Sequence, residues 1–236
     1  MARRPSRRSS ASCAILGALG ALFGAAGCGA PSPRPVDLSP GERRYTPDDY
    51  GRVVTRWTRS GRLQKDFDKV APFDMALDVR ATFESWEWRW AYVERFAEYY
   101  RLPEARKSEM RDSELKSAEE YHEFHVAATA SRFEWAEFLN PKNTMWRIVL
   151  FDDRGREVEP NDKFPVKMPL TEETAFFPYV GSFEQPFLTR VLFRFPSRFP
   201  DGTPTLDPGT KHVTLRFAGP LGTLDLVWDT VLSVKH

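Results

Sequence analysis

The sequence predicts a mainly β protein, an antiparallel β-sandwich of immunoglobulin-like type with one inserted or packed helix. Three observations predict it. Apolar and polar residues alternate with a period of two from about residue 71. Asp- and Gly-bearing turn signals separate such runs at several places. One aromatic stretch carries helical spacing. The alternative on the same evidence is an α+β arrangement, an antiparallel sheet with a helix on one face.

The first strand is the clearest. Met75, Leu77, Val79, Ala81 and Phe83 alternate with Asp74, Asp78, Arg80, Thr82 and Glu84, so one face is expected to be buried and the other wet. In the next stretch Trp86, Trp88, Trp90 and Tyr92 extend the alternation. Trp86, Trp90, Val93, Ala97 and Tyr100 instead fit a helix, which Ser85 can cap and Pro103 stop. The expectation is a helix over 86–101. Residues 104–120 carry ten charges in seventeen positions, a solvated helix or loop.

Strand spacing then returns. Phe124, Val126, Ala128 and Ala130 alternate with Glu123, His125, Ala127 and Thr129. The run from Met145 to Phe151 meets Asp152-Asp153-Arg154-Gly155-Arg156, a hairpin signal in which Gly155 supplies positive φ. Phe187, Val191, Phe193 and Phe195 share a face opposite Arg190 and Arg194. Finally Val213, Leu215 and Phe217 face Leu224, Leu226 and Trp228 across Gly219-Pro220-Leu221-Gly222.

The N-terminus reads as an address. Arg3, Arg4, Arg7 and Arg8 form a basic region, and residues 14–27 an apolar stretch of 14, too short to span a bilayer. It ends in Ala25-Ala26-Gly27-Cys28, which resembles the lipobox of bacterial lipoproteins, with Ala25 where that family prefers leucine. The resemblance implies cleavage before Cys28 and its lipidation. The organisation expected is a signal peptide over 1–28, a Pro- and Ser-rich linker over 29–49 and one strand-rich domain over 50–236. Gly29, where inner-membrane lipoproteins often carry aspartate, tilts the expected location in the cell envelope toward the outer membrane. The strand–helix–strand order and the run Trp146-Arg147…Asp152-Asp153-x-Gly155-Arg156-Glu157 are similar to bacterial envelope lipoproteins of no known activity.

Charge and cysteine content exclude several classes. Without the leader arginines, 30 basic face 33 acidic residues, a balance that argues against a nucleic-acid partner. Cys13 falls in the leader, so Cys28 is the sole mature cysteine and no disulfide or thiolate site is available. His122 and His125, three apart, point to opposite faces of a strand and cannot share an ion there without a bulge; on a helix they could, with Glu119 or Glu123, but no third ligand at zinc spacing follows, so they read as histidines flanking a strand start. Asp152-Asp153 and Asp201-Gly202 read as turns before calcium loops, and Glu119-Glu120 and Glu157–Glu159 as surface pairs. No Gly-x-Ser-x-Gly elbow, phosphate-cradling loop or dinucleotide fingerprint occurs, so no catalytic, cofactor or metal residue is assigned.

The aromatic cluster from Trp86 to Tyr100 is expected to fill core, with Trp88, Tyr92 and Tyr99 as possible binding rings. The function expected is a non-catalytic binding or structural module on a lipid anchor, with an envelope protein or cell-wall glycan as partner; the first alternative is a glycan- or peptidoglycan-binding lipoprotein that uses the aromatic cluster. An envelope enzyme with a non-local site is the second alternative.

Overall fold

The residues that alternate over 74–83 form β2 (Asp74–Phe83), the strand around which the core is organised. The structure, a computed structural model, describes residues 34–65, 74–138, 140, 143–161, 175–177 and 188–231. The leader with Cys28, residues 29–33 of the linker and Phe187 lie outside the described residues.

Among the described residues there are two four-stranded antiparallel sheets and three α-helices. The first sheet has the order β1 (Thr58–Lys65), β2, β3 (Tyr121–Thr129), β6 (Thr189–Pro196). The second has the order β5 (Glu157–Val158), β4 (Arg147–Phe151), β7 (His212–Gly219), β8 (Gly222–Asp229). In an immunoglobulin domain the third strand crosses to the second sheet; here β3 stays beside β2.

One face of the first sheet packs on the second sheet. Leu77, Val79 and Phe83 of β2 and Phe124 and Val126 of β3 share a core with Leu215, Phe217, Leu226 and Trp228. Phe124 meets the Trp228 ring at 5.4 Å and stacks on Phe83 at 4.6 Å. The β7–β8 hairpin keeps the predicted register, Val213 opposite Trp228, Leu215 opposite Leu226 and Phe217 opposite Leu224. Pro220 and Leu221 make its two-residue turn, closed by Gly222 at φ 137°. Gly155, at φ 76°, turns β4 toward β5 while the Asp152 carboxylate accepts the Arg154 and Arg156 backbone N–H groups.

The other face of the first sheet was expected to be wet, and it is covered. Asp78, Thr82 and Glu84 are buried. At its β3 side that face meets α2 (Trp86–Tyr100), whose Arg89 donates to Glu123, and α3 (Glu104–Glu120), while Asp78 takes the Arg62 guanidinium of β1 at 2.6 Å and the Thr82 hydroxyl pairs with that of Thr58 at 2.8 Å. The helix expected over 86–101 is present, with Ser85 accepting the Trp88 N–H at 3.2 Å. The chain leaves it through Arg101 in the left-handed conformation (φ 52°). The charged run 104–120 is helical and stays solvated, with Ala118 alone buried among its described residues. Lys107 ties it to α2 through Glu94 at 2.6 Å.

A short 3-10 turn (Pro47–Asp49), α1 (Tyr50–Trp57) and β1 precede β2. In α1 the buried residues Tyr50, Val53, Val54 and Trp57 recur at i, i+3, i+4 and i+7. In β1, Gly61 leaves no side chain where Leu224 and Leu226 press in, 2.8 and 2.9 Å from where a Cβ would stand. The stretch from residue 34, read from composition as linker, is laid on the domain. Val36 is fully buried and bridges β8's end, its N–H on the Asp229 carbonyl at 2.8 Å and its carbonyl taking the Val231 N–H at 2.9 Å. A single apolar residue docked this way leaves no periodic signal.

Candidate functional site

Where β2 ends and β3 begins, the turn into α2 gathers titratable groups at the edge of the core. Glu84 and Ser85 link β2 to α2, and the Glu84 N–H donates to the Glu123 carbonyl on β3 at 2.9 Å. Its own carbonyl accepts from Arg89 Nε at 3.0 Å. The backbone is thereby fixed on both sides, and the Glu84 side chain, 8 % exposed, is held at the boundary of two cavities.

Arg89 organises the inner one. It is 1 % exposed and its guanidinium donates to Glu114 of α3 and to Glu123 of β3. Glu123 also accepts from Arg194 on β6 and from Ser117 Oγ at 2.7 Å. Burial opposes the Arg89 charge, yet Glu114, Glu84 and Glu123 more than offset it. Burial likewise opposes the Glu123 charge, and Arg89, Ser117 and Arg194 prevail and hold it below the usual carboxylate value. Glu84 has a different balance. Its carboxyl takes no hydrogen bond and lies 3.8 Å from Arg89 Nη2, beyond hydrogen-bond distance, while that nitrogen donates to Glu123. Burial, with Glu123 and Glu114 reinforcing it against Arg89, pushes Glu84 up to about 8.

The outer cavity, about 620 Å³, is the larger of the two. Its polar wall includes Glu84, Ser85, Glu119, His122, Arg198 and Asp207, and its apolar wall Leu38, Pro40, Phe83, Trp86 and Leu206. His122 packs edge-on against Phe83 at 5.9 Å, and its Nε2 is buried with no hydrogen-bond partner. Burial first, and the Arg89 charge second, push His122 down to about 4, so the imidazole is neutral at pH 7.

The other residues singled out from sequence fall elsewhere. His125 points to the helical face and stacks on Phe177 at 3.7 Å, so the two histidines are on opposite faces of β3. Trp88 is 2 % exposed and sandwiched between Tyr92 and Phe177, stacked at 4.6 and 5.8 Å. Tyr92 is half-buried, and Tyr99, at 54 %, is open to solvent. The Asp152 carboxylate takes the Arg156 guanidinium at 2.7 Å, and Asp201 takes the Thr203 N–H and hydroxyl at 2.9 and 2.6 Å. Glu157 and Glu159 clasp Arg147 at the surface. Among the described residues no three metal-ligating side chains converge.

Glu87, another buried carboxylate, gives no signal in the sequence. It accepts from Tyr45 Oη at 2.7 Å, Arg56 Nη1 at 2.6 Å and Trp57 Nε1 at 2.7 Å, pinning α1 to α2. Glu87→Gln should cost about 1.5–3 kcal/mol in urea unfolding, because the amide nitrogen then confronts a donor. A loss under about 0.5 kcal/mol would show that these three bonds do not hold the helices together.

No family model matches the chain, and no curated protein matches it. Among solved structures it is similar to a crystal structure of a protein of unknown function from Burkholderia pseudomallei K96243, with 11 % identity over 81 % of this chain and 93 % of that one. The TM-score is 0.35, too slight a likeness to transfer a fold or a role.

Proposed function

We propose that this chain is a lipid-anchored envelope protein whose strand-rich domain is a non-catalytic binding module, taking a small ligand in the cavity beside Glu84 and His122. The observation that carries the binding half is a roomy, mixed-polarity cavity whose wall holds a carboxyl without a hydrogen bond and a buried imidazole nitrogen without a partner. Native mass spectrometry of the protein extracted from its own membranes should find a small molecule bound to the folded domain. Absence of any bound molecule, together with no shift of the Trp86 indole NMR signal on screening small-molecule fragments, would overturn it.

The anchor half rests on the leader. Cys28→Ala should abolish fatty-acid labelling and release the protein from membranes; persistent labelling would refute the lipobox. With Val36 docked on β8, the tether from Cys28 is eight residues and reaches about 29 Å at most. This supports a domain held close to the lipid headgroups. The glycan-binding alternative relies on open rings, and of Trp88, Tyr92 and Tyr99 only Tyr99 is exposed.

A further inference from the structure

We infer that the cavity beside Glu84 receives an organic cation, a primary ammonium or guanidinium head whose charge pairs with the Glu84 carboxylate. The inference rests on the reading that this cavity binds a small ligand, and it names the ligand's class.

Beneath α2 two guanidiniums, Arg89 and Arg194, meet the carboxylates of Glu114 and Glu123, and each of these carboxylates accepts at least one of their N–H groups. Glu84 is a third carboxyl on the same cluster. Its contact with Arg89 is long, and the Arg89 nitrogen nearest to it already donates to Glu123. A buried carboxylate without a cation of its own stays protonated or awaits one. The cavity is where such a charge can arrive, since Glu84 forms part of its wall.

The rest of the wall favours the same ligand. Glu119 and Asp207 add two carboxylates, Asp207 shared with Arg154 at 4.0 Å, against the one guanidinium of the wall, Arg198, so the wall is net acidic once Glu84 ionises. An anion would therefore meet three carboxyl groups. The Trp86 ring supplies an aromatic surface of the kind cations approach, and Leu38, Pro40 and Leu206 suit a hydrocarbon body. A bare divalent ion fits poorly, because it needs several converging oxygens and none converge among the described residues.

Binding of such a cation releases the Glu84 proton. The groups that face Glu84 are Arg89 on α2, Glu114 on α3, Glu123 and His122 on β3 and Arg194 on β6. His122 (about 4) and Glu123 (held low) do not change charge above pH 6, whereas Glu84 titrates near 8. Affinity for a cation should accordingly rise about tenfold from pH 6 to 7 and about fivefold more from pH 7 to 8.

The test uses the detergent-extracted protein with two probes of one shape, benzylamine and benzyl alcohol, read by the Trp86 indole NMR signal (assigned with Trp86→Phe). Benzylamine should bind more tightly than the alcohol, with the stated pH slope. Glu84→Gln should weaken benzylamine at pH 8 by at least about tenfold and flatten the slope. If the alcohol binds as well as the amine, or Glu84→Gln leaves the amine unaffected, the cation class is wrong and the cavity remains a ligand site. If neither probe perturbs Trp86 at any pH and no fragment does, the binding reading fails as well.

Discussion

Arg89→Leu should destabilise the domain by about 3–5 kcal/mol, the range for breaking a buried ion pair from one side. The side chain is almost wholly enclosed and ties α2 to three places at once, the β2–α2 link through the Glu84 carbonyl, α3 through Glu114 and β3 through Glu123. Leucine would fill part of the volume and satisfy none of these acceptors. Glu123 would keep Arg194 and Ser117, so the heaviest loss falls on Glu114 and the Glu84 carbonyl. In a domain of this size the melting temperature should fall on the order of 10 °C. Arg106→Ala supplies the contrast, since its i,i+3 pair with Glu109 is exposed on both sides and such pairs contribute under about 1 kcal/mol. Equal unfolding midpoints for the Arg89 and Arg106 variants would show that the buried network does not hold α3 on the sheet.

The same network explains which parts of the molecule were legible in the sequence. Alternation revealed β2, β3 and the β7–β8 hairpin because their inner faces are apolar and pack on one another. It misread the polar face of β2. Asp78, Thr82 and Glu84 have the composition of a solvated face, and partners that no local pattern reveals, Arg62 and Thr58 of β1 and Arg89 of α2, accompany their burial. Glu84 was hidden for this reason, as one more polar residue in a period-two strand. Arg89 and Glu87 were hidden too, set between tryptophans on a helix where charged residues normally face water.

His122 was visible, but as a metal ligand to be rejected, since nothing local pairs it with Glu84. Sequence also passed over α1, although Tyr50, Val53, Val54 and Trp57 carry helical spacing. The Pro-rich stretch before it and its eight residues gave the pattern little room. For β1 there was no pattern to find. Its inner face presents Arg59 and Gly61, because the bulk at that place comes from Leu224 and Leu226 on β8.

Stability against pH should show the opposed titrations of Glu84 and His122. Glu84, ordinarily near 4.5, is raised to about 8 in the fold, so its contribution is complete below pH 4.5 and is lost as pH rises toward 8. His122, ordinarily near 6.5, is lowered to about 4, so its contribution is present above 6.5 and is lost as pH falls toward 4. Between pH 4.5 and 6.5 one gain offsets the other and the melting temperature should be nearly level. Above 6.5 only Glu84 still changes, and stability should fall by about 1–2 kcal/mol by pH 8. Glu84→Gln removes one of the two. Its melting temperature should climb from pH 4 to 6.5 as His122 is deprotonated in the unfolded chain, then stay level to pH 8, where the variant should outlast the native protein. A native profile that is level from 6.5 to 8, or the same decline in Glu84→Gln, would mean that Glu84 ionises freely, and the charge count beneath α2 would then be wrong.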